Sequence, residues 1–274
     1  VVVVRTETWQ RTRTLIQRRR ILYLLISRDL KVKYSDSTLG YVWTVLEPLT
    51  MAMVYWFVFT RIFPRGTATD QPYLVFLLLG MLPWQWASQV ISGSARSIAG
   101  EARLVRSVDV PREIWILRTV GSKFVEFLLS LPVLFIFMWT LHKGANWYIL
   151  LWPVAMGMMW VTLLGFAFIL APLCVMFTDL ERLMRIIVRI LFYMCPVLYG
   201  TEKVLNSKHI VEPVRQFYLW NPFTTELSMI RGAVFRNELP GIDVALRGAI
   251  VSFAMLAVGL VVFRRLEPEV LKEI

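Results

Sequence analysis

The sequence predicts an all-α membrane protein with six transmembrane helices, an N-terminal interfacial amphipathic helix and short re-entrant helices on the outer face. Three observations carry this. Hydrophobic residues fill 57% of the 274 positions, and the mean hydropathy is +0.59, more apolar than a water-soluble core of this size requires. The apolar residues are gathered into blocks close to the ~20 residues that cross a ~30 Å hydrocarbon layer. The basic residues lie between or beside those blocks and bring the formal charge to +11. In a soluble protein that charge would raise nucleic-acid binding; at the flanks of apolar blocks, anionic lipid headgroups and the positive-inside bias explain it, and no nucleic-acid partner is expected.

The chain opens Val1-Val2-Val3-Val4 and turns Arg-rich, the wrong order for a signal peptide, so insertion is expected to rely on the mature helices. Arg5, Arg11, Arg13, Arg18, Arg19 and Arg20 stand against Glu7 alone and should stay cytoplasmic. Residues 21–26 are apolar but too short to span, and they run into Arg28, Asp29, Lys31 and Lys33, the pattern of a helix in the interface plane. Residues 1–42 are thus a cytoplasmic tail and an interfacial helix.

Six spans are expected at about 43–63, 73–90, 115–139, 148–173, 183–199 and 244–263, together a transmembrane domain over 43–263. Pro48 sits in the first turns of the first span, where the early amides have no intrahelical partner. Pro83 predicts a kinked or tilted second span. In segment 92–113, Arg96, Glu101, Arg103, Arg106, Asp109, Arg112 and Glu113 interleave with Ile98, Leu104, Val105 and Val108, which predicts a short amphipathic helix ending before Pro111. Lys123 and Glu126, three apart in the third span, should meet on one helix face. Gly157 and Gly165 permit close packing of the fourth. Segment 200–243 is mixed and is placed outside, with short helices re-entering the bilayer edge. Arg264 and Arg265 stop the sixth span, and 264–274 is a cytoplasmic tail.

Counting basic residues supports this orientation. Nine precede Trp43, four lie in 92–113, Arg182 and Arg185 follow the fourth block, and Arg264, Arg265 and Lys272 close the chain. The outer connectors hold Arg61 and Arg65, then Lys143, then five spread over the long final loop and Arg247. The asymmetry places both termini inside. Cys174 and Cys195 fall in apolar segments without a CxxC or Cys/His cluster and are expected as small buried side chains. His142 and His209 are solitary, so no metal site is expected. No internal repeat is evident, and six helices make a narrow bundle, so a conduit for a large solute calls for a second copy.

Three stretches carry a family resemblance. The run Ser27-Arg28-Asp29-Leu30-Lys31-Val32-Lys33-Tyr34-Ser35-Asp36-Ser37-Thr38-Leu39-Gly40-Tyr41-Val42-Trp43, with Pro48 beyond it, is similar to an N-terminal signature. Phe177-Thr178-Asp179-Leu180 followed by Tyr193-Met194-Cys195-Pro196-Val197-Leu198-Tyr199 is a second match, with Cys195 where relatives carry Ser or Thr. Leu219-Trp220-Asn221-Pro222-Phe223 with Arg231 downstream is a third. In this order, within six spans, the chain resembles the membrane permease of bacterial ABC exporters for lipid-linked polysaccharides such as O-antigen, capsule, teichoic acid and galactan, the type-2 ABC exporter permeases. The resemblance implies a multi-pass protein of the bacterial inner membrane, a homodimer joined to two separate cytoplasmic ATPase subunits that hold ATP and magnesium, and no cofactor in this chain. No GxxxxGK[ST] occurs here. The Arg-heavy, Lys-poor, Trp-rich usage is similar to actinobacterial proteins, for which galactan would be the cargo.

The same resemblance assigns ATPase coupling to Glu101, Arg103, Arg106 and Asp109, beside the plainer reading of a solvated loop. Arg28, Lys31 and Lys33 suit lipid or pyrophosphate headgroups through charge-assisted donors, beside simple anchoring. Arg182, Arg185 and Arg189, three and four apart, form a stripe that could receive a pyrophosphate at an entrance; snorkelling explains the first two without function. A glycan path needs polarisable, weakly adhesive walls, and Tyr55, Trp56, Phe59, Trp84, Trp86, Phe166, Phe168, Phe192 and Tyr193 could supply them by ring stacking, although interfacial anchoring also accounts for many. Two other classes compete. A membrane glycan-lipid transferase would need a carboxylate constellation, whereas Asp36, Asp109 and Asp179 are scattered. A channel or ion-coupled carrier would lack a bound ATPase.

Overall fold

The computed structural model describes residues 15, 17–35, 37–62, 72–107, 110–142 and 147–273. Among the described residues the regular structure is entirely helical. Helix α1, Arg19–Tyr34, carries Lys31 and Lys33 in its last turn, where they meet the negative end of the helix dipole. Gly40 at φ +50° then turns the chain into α2, a left-handed conformation that glycine adopts without a Cβ clash. Helix α2 runs Trp43–Phe57 and ends in one π-helical turn, Val58–Ile62. Helix α3, Tyr73–Ser94, is the most enclosed, with Pro83 inside it. The expected amphipathic helix after it shrinks to a single-turn lead-in and α4, Ala102–Ser107.

Helices α5, Glu113–Phe137, and α6, Trp152–Met176, follow, then α7, Asp179–Met194. Three short helices come next: α8, Thr201–Leu205; α9, Glu212–Trp220; and α10, Pro222–Gly232. The last, α11, runs Ile242–Glu273. It passes through Arg264 and Arg265 without stopping, because arginine is a good helix former and marks a change of solvent rather than of conformation. Among the described residues, five stretches are long and apolar enough to cross a membrane: Gly40–Ile62, Tyr73–Ser94, Glu113–Leu141, Trp147–Met176 and Ile242–Val270. The expected span at 183–199 falls on α7, which has 16 residues and arginine on its surface.

Contacts fix how these helices run. Gly165 of α6 faces Met255 and Leu256, a Cβ on it would stand 2.6 Å from the Met255 carbonyl carbon, and a Cβ on Gly259 would stand 2.5 Å from Gly165 O. Deeper along both helices Phe168 meets Phe263, centroids 5.4 Å apart. The numbers rise together, so α6 and α11 are parallel, and the chain between them returns across the bundle. Backbone contact of this kind is how helices gain packing energy in lipid, where apolar burial alone gives none. Helix α7 provides the return. Arg96 meets Glu181 at one end, Trp84 meets Phe192 at mid-length, and Tyr73 Oη donates to Leu198 O at the other, 3.1 Å. Residues 181–198 therefore run antiparallel along the whole of α3.

Helix α10 plugs the bundle from the end where α3 begins, and every one of its residues is buried. Its start is built by Asn221 and Pro222. The Asn221 side chain accepts from Phe223 N at 3.1 Å as an N-cap, and Pro222 takes a position with no amide hydrogen to spare. The Asn221 amide also donates to Cys195 Sγ, 3.2 Å away, tying α10 to the end of α7. Cys174 and Cys195 are free and buried.

Candidate functional site

The groove between α2, α3 and α7 holds the most concentrated set of predicted residues. Helix α7 turns Met184 and Val188 toward the core and leaves Leu183, Ile186 and Ile190 exposed. Between those faces Arg185 and Arg189, one turn apart, line an open groove of about 430 Å³. Tyr55 from α2, Trp84, Ser88 and Ser92 from α3, and Phe192 and Tyr193 from α7 complete its wall. Phe192 is the hinge of the aromatic part, with ring centroids 6.2 Å from Trp84, 6.4 Å from Tyr55 and 5.0 Å from Tyr193. Trp84, Ser88 and Ser92 recur every fourth residue, so one stripe of α3 supplies an aromatic ring and two hydroxyls.

Charge in the groove is graded. Arg185 Nη1 is held by Glu181 Oε1 at 2.5 Å, and Arg96 Nη2 reaches the same oxygen at 2.6 Å. The hydrogen bond from Arg96, more than burial opposing it, holds the Glu181 carboxyl below its ordinary range. Arg182 is largely exposed and 3.9 Å from Asp179. Arg189 lies beyond these carboxylates, lines the groove and has no ion pair among the described residues.

The unwound end of α7 is held from the core. Arg231 of α10, fully buried, donates to the carbonyls of Val197 at 2.5 Å and Tyr199 at 2.8 Å, and its guanidinium sits 3.8 Å from the Phe76 ring centroid. Carbonyls freed where a helix breaks need such a donor in a dry interior. On the same helix Glu226, also fully buried, accepts from Thr162 of α6 at 2.5 Å and Ser252 of α11 at 3.3 Å. Helix α10 thus grips the end of α7 with a cation and the parallel pair α6 and α11 with a carboxyl group.

At the opposite end of the bundle a charged clamp joins α1, the segment before α4, and α5. Arg118 donates twice to Asp29, at 2.5 and 2.6 Å, and once to Glu101 at 2.9 Å. Arg28 reaches Glu101 at 2.6 Å, and Ser122 Oγ donates to Asp29 at 3.2 Å. One turn on, Lys33 and Lys123 share Glu126, at 2.7 and 2.8 Å. Ile26 fits over Gly121, which has no side chain to obstruct it. These groups line an open cleft of about 630 Å³.

Residues 20–235, from α1 through α10, match the family described as ABC-2 type transporter. The chain belongs to the ABC-2 type transporter family. Among relatives of this permease, an O-antigen export system permease protein of Klebsiella pneumoniae is 29% identical over 252 residues, covering 90% of this chain and 92% of the relative. Its counterpart from Myxococcus xanthus is 29% identical over 89% of this chain and 91% of the relative. A polysialic acid transport protein of Escherichia coli is 22% identical over 90% of this chain and 93% of the relative. Family membership makes the chain a multi-pass transport subunit and not an enzyme, with ATP hydrolysis on a separate subunit.

In this permease the predicted residues separate into three places. Arg185, Arg189, Tyr55, Trp84, Phe192 and Tyr193 meet in the groove. Arg28, Lys33 and Glu101 meet in the clamp, while Lys31 is exposed on α1. Three aromatics sit elsewhere: Trp86 packs with Phe124, Phe127 and Trp160, Phe168 with Phe263, and Phe166 stacks on Phe223 at 5.7 Å. Trp56 is partly exposed on α2. Asp109 and the side chains of Phe59, Arg103 and Arg106 lie outside the described residues. The Lys123 and Glu126 pair forms as its spacing required. Asp29, Arg118, Ser88, Ser92, Glu226 and Arg231 were not singled out as site residues. The serines carried a local signal, the fourfold spacing from Trp84, and Arg231 stood in the third resemblance motif without a role.

Proposed function

We propose that this permease moves a polyprenyl-pyrophosphate-linked polysaccharide outward across the bacterial inner membrane, as a homodimer driven by two cytoplasmic ATPase subunits. The observation that carries the reading is the groove: a guanidinium free of carboxylates, Arg189, opens beside a wall of Tyr55, Trp84, Phe192 and Tyr193. Arginine supplies several charge-assisted donors to a pyrophosphate. The rings offer stacking surfaces to sugar C–H faces without a deep pocket that would trap a polymer. The relatives named for O-antigen export and polysialic acid transport support the same cargo class.

Six crossings with both termini inside fit this role. The parallel course of α6 and α11, with α7 running the length of α3 between them, supports the sixth crossing, and the distribution of basic residues supports the orientation. Segment 92–113, with Glu101, Arg103, Arg106 and Asp109, then faces the ATPase, and the Arg118 clamp passes its movement to α1. Arg182 and Arg185 stand at the entrance, and Arg28, Lys31 and Lys33 meet anionic headgroups. Residue usage alone supports galactan as the polymer. Accumulation of cytoplasmic lipid-linked galactan in cells lacking the chain is expected, and accumulation of a different glycan rejects that assignment.

The test of the groove is ATPase stimulation in the reconstituted transporter. Lipid-linked glycan should stimulate the wild type and fail to stimulate Arg189→Ala, with complex assembly unchanged; equal stimulation rejects the groove as the substrate path. Arg103→Glu with Arg106→Glu should abolish export without affecting insertion, and retained assembly and export reject the coupling assignment.

A further inference from the structure

On the other side of α3 from the groove lies a second, smaller pocket of about 70 Å³, where α1, α2, α3 and α5 meet. It admits a few waters or one small headgroup and no polymer. Its wall is rich in donors that the protein leaves unused. The Trp86 indole, 2% exposed, has no hydrogen-bond partner for Nε1 among the described residues, and the Tyr34 hydroxyl, which accepts from the Lys33 ammonium, keeps its own proton to donate. Unpaired polar atoms at such depth are costly and are normally met by water or a ligand. Gln85 and Gln89 of α3 add their amides one turn apart, and Lys33 and Lys123 stand on opposite sides of Glu126. Burial of Lys33 alone would lower its pKa, but the hydrogen bond and charge of Glu126 outweigh that and raise it, so the ammonium stays charged. Glu47, at the start of α2, is the one carboxylate of the wall besides Glu126 among the described residues.

The inner wall therefore presents N–H, O–H and ammonium donors around the buried Glu126 carboxylate, and the exposed Glu47 adds a second carboxylate at the rim. That is complementary to a group that is an acceptor at its centre and cationic at its tip. Beside the pocket the turn from α1 into α2 exposes Leu39, Tyr41, Val42 and Trp43, an apolar shoulder at the level where α2 begins. Acyl chains would lie there. We propose that this pocket binds the phosphate of a membrane glycerophospholipid, with Tyr34, Trp86, Lys33 and Lys123 as donors and Glu47 placed to meet a headgroup amine. The lipid would pin α1 to α2, α3 and α5 at the leaflet where α1 lies. This rests on the chain being a membrane protein and not on its cargo.

Native mass spectrometry of the full chain, released from nanodiscs of phosphatidylethanolamine and phosphatidylglycerol, reads the occupancy directly. Tyr34→Phe deletes the hydroxyl and preserves the ring, whereas Trp86→Phe deletes the indole N–H and leaves a void against Phe124, Phe127 and Trp160, so the melting temperature of each variant is measured alongside and Tyr34→Phe is also read alone. Each single variant should hold the lipid roughly tenfold more weakly and the double variant roughly a hundredfold, the worth of one and of two hydrogen bonds to a charged group. Glu47→Gln should weaken phosphatidylethanolamine and spare phosphatidylglycerol. Equal lipid retention by wild type and the double variant overturns the proposal. So does a wild type that retains no lipid but binds inorganic phosphate in a manner the double variant loses.

Discussion

Arg231 offers the sharpest test of how α10 holds the bundle together. In Arg231→Met two buried carbonyls, Val197 O and Tyr199 O, lose a charged donor, about 1–3 kcal/mol each, and the contact with Phe76 removes ~0.5–2 kcal/mol more. Relief from burying a guanidinium offsets several kcal/mol. The net loss is on the order of 3 kcal/mol. At ~2–4 °C per kcal/mol, thermal unfolding in detergent, followed by tryptophan fluorescence, should shift down by about 6–12 °C. Gly80→Ala probes the same contact from α3, because the new methyl would meet the Arg231 guanidinium and stand 2.6 Å from Val197 O. Overpacking of this kind costs ~1–3 kcal/mol. In the Arg231→Met background the end of α7 is no longer held and the methyl is accommodated. The double variant should then be more stable than the sum of the two losses predicts, by about 1 kcal/mol. An Arg231→Met protein that melts within about 2 °C of wild type, or strictly additive losses, refutes the latch.

Three other outcomes follow from the geometry. Arg118→Ala leaves Asp29 and Glu101 with Arg28 of the same helix as their one shared cation, removes the tie to α5 and should loosen α1, raising proteolytic cleavage between α1 and α2; Asp29→Arg with Arg118→Asp should restore protection, and failure of the swap argues against the clamp. Glu181 has its carboxyl pKa lowered by Arg96, so its contribution is complete above the ordinary value of 4.5 and fades as pH falls through the lowered one. Glu181→Gln should therefore melt slightly below wild type at neutral pH, with the gap narrowing as the pH falls below 4.5; a gap that does not change on acidification rejects the ion-pair origin. Gly165→Val forces side-chain atoms into the Met255 backbone and should separate α6 from α11, seen as loss of a monodisperse peak in size-exclusion chromatography, while Gly157→Ala, which meets open space, should elute as wild type.

Five of the six expected spans were legible because an apolar block of bilayer length has few other uses, and the structure moves their ends by up to seven residues; the one expected at 183–199 is not among the membrane-length apolar stretches of the described residues. Faces were legible only where polarity is periodic. Helix α7 alternates charged and apolar positions, so Arg185, Arg189, Phe192 and Tyr193 could be placed together from spacing alone. Helix α6 is apolar on every side, and nothing in its sequence says that Phe168 meets Phe263 or that Phe166 meets Phe223. Trp86 and Trp84 are two residues apart on α3 and hence point to different sides, one to the small pocket and one to the groove. The clamp was invisible for a different reason. Asp29 and Arg118 are separated by 89 positions, and each alone resembles an ordinary flanking charge. Arg231 was visible as part of a motif, but its purpose depends on where α7 unwinds, which only the folded chain specifies.

The features of α7 that make it a poor membrane span are the ones a transport path requires. An arginine facing hydrocarbon costs ~2.5–3.5 kcal/mol even by the mildest measure, so Arg185 and Arg189 need a polar or hydrated wall opposite them. Ser88 and Ser92 of α3 and Tyr55 of α2 provide it. A longer, uniformly apolar helix would cross more cheaply and leave nothing for an anion to bind. Such a helix would also need no external hold on its far end, whereas α7 breaks after Met194 and depends on Arg231, Asn221 and Tyr73 to satisfy or fix the chain beyond it. The buried polar groups of α10 are therefore the structural counterpart of the groove: on the proposed function, a helix that carries charge for a guest is held from the protein side and not by lipid.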